Sequence, residues 1–184
     1  MTDTTRHKIL ITQLPWDALK PDTLDLSNSN IVLEATAQVA RALQQAPQFR
    51  ALDLHGNCLA EVGARLLAQA LVHVPHLHSL NLADNALGPR GLLALLACVK
   101  HVQLRHLDLR TNNIGDEGAM ALVHAAAHLG ALESLHLADN NITAVDEIAG
   151  LLRKKLPTLS VLTLDGAGDA PPVALPPLRK SFQS

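Results

Sequence analysis

Leucines and polar residues alternate over short stretches of this chain, and the stretches return at a fixed interval. The fullest copy is Leu77–Leu87, which reads L-x-x-L-x-L-x-x-N-x-L. The string recurs at Phe49–Leu59, Leu104–Ile114 and Leu132–Ile142, with weaker copies at Pro21–Ile31 and Leu159–Asp169. Successive copies start 27 or 28 residues apart. A period of this size means stacked units, each a short strand plus a helix that cannot bury its apolar face alone.

The leucine pairs Leu24/Leu26, Leu52/Leu54, Leu80/Leu82, Leu107/Leu109, Leu135/Leu137 and Leu162/Leu164 have the period of 2 of a strand with one buried face. Each strand returns in the same direction after a helical crossover, so the six should pair in parallel. Asn57, Asn85, Asn112 and Asn140 follow the second leucine of their pairs by three residues. Their amides suit the backbone groups of the turn that leaves the strand, which would otherwise be buried unpaired. Helices are predicted over 64–74, 91–99 and 119–127, with apolar faces Leu67/Ala70/Leu71, Leu95/Cys98/Val99 and Leu122/Ala125/Ala126. Gly63, Gly91 and Gly118, four residues past the turn leucine or isoleucine, are expected at a tight helix start. In the fifth unit Asp146 stands there, and the apolar set moves to Ile148, Leu151 and Leu152, which predicts a slightly reoriented helix.

Three segments result. Residues 1–20 do not fit the period and carry Ile9–Ile11 and Trp16; they read as an N-terminal cap over the first layer. Residues 21–165 form the array of about six units. Residues 166–184, rich in Gly, Ala and Pro, read as a flexible tail, and their four prolines hold no P-x-x-P spacing.

Composition changes this picture little. Apolar residues make up 48% and aromatics 2%, as expected of an aliphatic core built by repetition. A formal net charge of −2 excludes the broad basic field of a nucleic-acid binder. The longest apolar run, Leu92–Val99, is far below a membrane span, and Ile9–Ile11 is too short for a signal peptide. Cys58 and Cys98 share no metal or redox spacing and read as free thiols in a reducing compartment, so the localisation expected is cytoplasmic, with export into a host cell left open. The ten histidines could shift charge and partner choice in acid, although scattered surface histidines are the ordinary case.

No catalytic constellation appears: there is no G-x-S-x-G elbow, and neither cysteine has a base and an orienter in sequence context. His124 and His128 lie four apart on one helix but lack further ligands, so no metal or cofactor is expected. What remains is the face between the strand leucines. Its side chains fall into columns about 4.8 Å apart. The candidate partner-binding residues are Asp25, Asp53, His55, Asn81, His106, Asp108, Arg110 and His136, an acidic beginning with a mixed centre.

Leu77–Leu87 and its copies, with the recurring glycines and helix leucines, resemble a leucine-rich repeat protein of the ribonuclease-inhibitor type over roughly residues 21–165. The resemblance implies an α/β fold, a curved solenoid segment with parallel strands on the concave face and helices on the convex face. It also implies a non-enzymatic module that binds another protein through the concave face, with neither nucleic acid nor membrane as partner. Alternatives within the resemblance are a regulator of a partner enzyme, as an inhibitor or GTPase-activating scaffold, or a bacterial effector acting in a host cell. A monomer is expected, with self-association through the last strand edge as the other arrangement.

Overall fold

The computed structural model describes residues 22–45 and 49–164. The expected cap over 1–20, with Trp16, and the tail over 166–184 lie outside the described residues. Six strands form one parallel sheet in chain order: β1 Thr23–Asp25, β2 Ala51–Asp53, β3 Ser79–Asn81, β4 His106–Asp108, β5 Ser134–His136 and β6 Val161–Thr163. Between them run α1 Leu33–Gln45, α2 Ala60–Leu71, α3 Gly88–Leu96, α4 Gly115–Ala125 and α5 Val145–Lys155. The sheet is open, with β1 and β6 at its edges among the described residues. Leu24, Leu52, Leu80, Leu107, Leu135 and Leu162 are in register, so each leucine layer stacks on the next. Almost all of these layers are fully buried, together with the helix leucines.

The asparagines join the layers as expected. Asn112 donates through Nδ2 to the carbonyls of Leu82, Leu109 and Arg110 at 2.8, 3.0 and 2.9 Å. Its Oδ1 accepts the N–H groups of Asn85 and Leu87, both at 3.2 Å. Asn57 and Asn140 repeat the pattern one unit away on either side of the central pair. Asn85 makes the three donor contacts, but its buried Oδ1 has no partner.

The helices depart from their predicted limits. Each of α2 to α4 starts three or four residues earlier, at Ala60, Gly88 and Gly115, because the first turn carries small and polar residues that show no apolar stripe. The last predicted residues fall instead in turns and in short 3-10 segments, Val99–His101 and Ala126–His128. The recurring glycines are likewise not the tight start. That place belongs to Ala60, Gly88 and Gly115, whose φ values of +50°, +63° and +64° are left-handed. Gly118 lies inside the first helical turns, where the need is space: a Cβ there would stand 2.2 Å from Ile114 Cγ2 and 3.4 Å from Leu92 Cδ2. Gly118→Ala is therefore expected to cost about 1–3 kcal/mol through overpacking, measured as a lower urea midpoint at unchanged slope.

Helix α5 starts three residues after Ile142, whereas α2, α3 and α4 start one residue after their turn leucine or isoleucine. Thr143 occupies the place of the left-handed glycine. Asp116 of the preceding unit compensates: its Oδ1 accepts the N–H groups of Thr143 at 2.8 Å and Ala144 at 3.0 Å, and its other oxygen accepts the Thr143 hydroxyl. These bonds hold its carboxyl below the usual carboxylate range, the Thr143 hydroxyl contributing most.

Candidate functional site

The parallel register sets the side chains opposite the leucines into columns. The central column is Asp25, Asp53, Asn81, Asp108, His136 and Thr163, and beside it run Thr23, Ala51, Ser79, His106, Ser134 and Val161. Register alone placed all eight candidates on this face, and the structure brings them together there. It also divides them. Asp25 is exposed, Asp53, His55, His106 and Arg110 are half-buried, and Asn81, Asp108 and His136 form a buried floor.

The acidic column has a local cause. Asp25, Asp53, Asn81 and Asp108 each accept the backbone N–H two residues on, at 2.9–3.1 Å. A short side chain with an acceptor oxygen closes the turn that ends each strand. Asp53 also accepts from Asn81 Nδ2 at 3.1 Å, which ties β2 to β3. His55 Nδ1 donates to the Ala83 carbonyl at 3.2 Å.

At the centre Arg110 folds back over Asp108. Its Nε lies 3.1 Å from both carboxylate oxygens and its Nη2 lies 2.7 Å from Oδ2. The Asp108 side chain is 3% exposed and that of Arg110 18%. The hydrogen bonds to Asp108 raise the Arg110 pKa above its ordinary value. His106 Nδ1 lies 2.9 Å from Ser134 Oγ, and His136 Nδ1 lies 3.2 Å from Thr163 Oγ1. Ser79, Asn81, His106, Asp108, Ser134 and His136 line one shallow depression. Ser79 and Ser134 stand outside the candidate set, although the column arithmetic already put them beside His106.

Burial pushes the His136 pKa below its ordinary 6.5; Asp108 opposes this, while Arg110 and His106 add to it. The native state thus favours neutral His136. Its stabilising contribution is complete above the ordinary value and is lost as pH falls through that value toward the depressed one. His136→Gln is expected to flatten the stability profile below about pH 6.5, checked by urea unfolding across a pH series. An unchanged profile would show that His136 does not set it.

His124 and His128 are exposed, and among the described residues no group of three His, Cys, Asp or Glu side chains could hold a metal ion. Cys58 is exposed, Cys98 is half-buried, and they are not bonded to each other. No helix among the described residues is long and apolar enough to cross a membrane.

Comparison with known proteins agrees with this geometry. A family model described as Leucine Rich repeat matches residues 73–96, 103–123 and 132–146, which covers parts of the third, fourth and fifth units. A stretch of 53 residues is 43% identical to Protein NLRC5 of Homo sapiens; it is 29% of this chain and 3% of that protein's length. Six parallel strands in register, an asparagine tie between layers and helices on the opposite side form an open α/β solenoid, and the family-model matches mark parts of its third, fourth and fifth units as leucine-rich repeats.

Proposed function

We propose that this chain is a non-enzymatic protein-interaction module that takes its partner on the concave strand face. Leucine-rich repeat domains generally bind other proteins. The observation that carries the reading is the division of the face. Beside a buried polar floor of Asn81, Asp108 and His136 stand Asp25, Asp53, His55, His106 and Arg110, of which Asn81 ties Asp53 and Asp108 ties Arg110. Side chains ordered before binding lose less entropy on contact. The charges run from acidic at β1 and β2 to the Arg110 cation at β4, which gives a partner segment a direction.

The test is capture of a partner by the full chain and by an Asp25→Lys/Asp53→Asn variant. Asparagine at 53 keeps the turn-closing acceptor, whereas a lysine at Asp108 would break a buried ion pair and unfold the site. A partner held by the wild type and released by the variant, at unchanged melting temperature, supports the concave face. Equal retention places binding elsewhere. A changed turnover rate of a captured enzyme would identify a regulator.

A further inference from the structure

We infer that the rim where helices lead into strands carries a docking site for an acidic segment of a partner protein, centred on His78 and separate from the concave face. The residues that precede the strands stack in register. The Arg105 N–H donates to the His78 carbonyl and the His78 N–H to the Arg50 carbonyl, both at 2.7 Å. In chain order this column is Asp22, Arg50, His78, Arg105, Glu133 and Ser160. Its outer pairs alternate in sign: Arg50 Nε lies 3.8 Å from Asp22, and Arg105 Nη1 lies 2.6 Å from Glu133. Its middle does not. Arg50 and Arg105 stand two layers apart, about 10 Å, with His78 between them. Like charges on neighbouring strands are destabilising, so stability alone does not select a base at this place. Both arginine side chains are more than half exposed. The His78 Nδ1 is buried without a partner, so the fold leaves the ring unsatisfied and Nε2 is the atom that can meet a ligand.

The surroundings carry the same sign. The connections from α2 to β3 and from α3 to β4, residues 72–78 and 97–105, hold no Asp or Glu. They hold His73, His76, Lys100 and His101, all exposed. The carboxylates of these units, Asp53, Glu61, Asp84 and Asp108, stand at the other ends of the strands and at a helix start. Guanidinium groups take carboxylates in a bidentate fork. An extended segment sets the side chains of one face about 7 Å apart, so two acidic residues at alternate positions come within reach of Arg50 and Arg105, with His78 between them. Asp22 and Glu133 close the column at either side and repel a longer polyanion. The site therefore fits a short acidic peptide segment and not a nucleic-acid strand.

Fluorescence anisotropy of a labelled hexaglutamate peptide, titrated with the full chain, tests the site. Binding is expected, weaker at higher salt, and Arg50→Gln/Arg105→Gln should weaken it about tenfold or more. His78→Glu should abolish binding and raise the melting temperature, because its carboxylate takes the ligand's place between the arginines, as Glu133 does beside Arg105. A misfolded variant cannot give both results. Lys154→Gln/Lys155→Gln removes equal charge from the end of α5 and should leave binding unchanged. Absence of binding by the wild type overturns the inference, and so does a lower melting temperature of His78→Glu. An equal loss in the lysine variant overturns it as well, since the attraction is then to net charge alone. Displacement of the peptide by polyuridylate overturns the choice of partner. Asp25→Lys/Asp53→Asn should retain the peptide, which separates this site from the concave face.

Discussion

Asn112→Ala is expected to destabilise the chain by about 3–4 kcal/mol. The side chain is fully buried between the third and fourth units and makes five hydrogen bonds, three donated and two accepted. Truncation strands the N–H groups of Asn85 and Leu87 inside the protein, whereas the carbonyls of Leu82, Leu109 and Arg110 each lose one donor and keep another, from Asn85, Asn140 and the Asp84 N–H. Each buried group left unpaired costs about 1–3 kcal/mol, reduced where the structure relaxes or admits water. Stability in a repeat array is a sum of unit and nearest-neighbour terms. Loss of a tie between two central units therefore lowers the cooperativity of unfolding as well as its midpoint. Asn85→Ala should cost less, about 1–3 kcal/mol, because its Oδ1 has no partner to lose. Urea titrations of both variants, followed by circular dichroism, give the comparison. Equal losses would mean that the acceptor bonds contribute nothing.

Arg110→Ala is the second large effect, at about 2–4 kcal/mol. Removing the guanidinium leaves the Asp108 carboxylate nearly dry, still accepting the backbone N–H of residue 110. The pair itself need not be worth that much, because desolvation of two charges offsets their attraction; the cost lies in stranding one partner. The double variant Asp108→Asn/Arg110→Ala should therefore recover a substantial part of the loss, since asparagine keeps the turn-closing acceptor without the charge. Thermal unfolding of the two single variants and the double variant closes the cycle. A double variant as unstable as the sum of the singles would show that Asp108 and Arg110 act independently.

These two sites were legible in the sequence to different degrees. The asparagine tie followed from spacing, because a buried turn three residues past a strand leucine leaves few other ways to satisfy its carbonyls. The direction of the Arg110 side chain did not follow. Spacing placed Asp108 and Arg110 on one face, but spacing does not decide whether the arginine reaches outward to a partner or back to Asp108. Neighbouring strands crowd the central column, so Asn81, Asp108 and His136 became floor and not surface. The helix starts were missed for a related reason. Periodicity detects apolar stripes, and the first turns of α2, α3 and α4 rest on left-handed backbone at Ala60, Gly88 and Gly115.

The sequence by itself therefore determined the period, the strand register, the asparagine ties and the membership of each outward column, since all of these depend on spacing along one chain and on the need to bury leucine and pair backbone groups. The tertiary structure decided which outward side chains remain accessible and that Asp116 closes the start of α5 from the unit before it. Those outcomes depend on how closely neighbouring units approach, and that distance is set by the packing of all layers together.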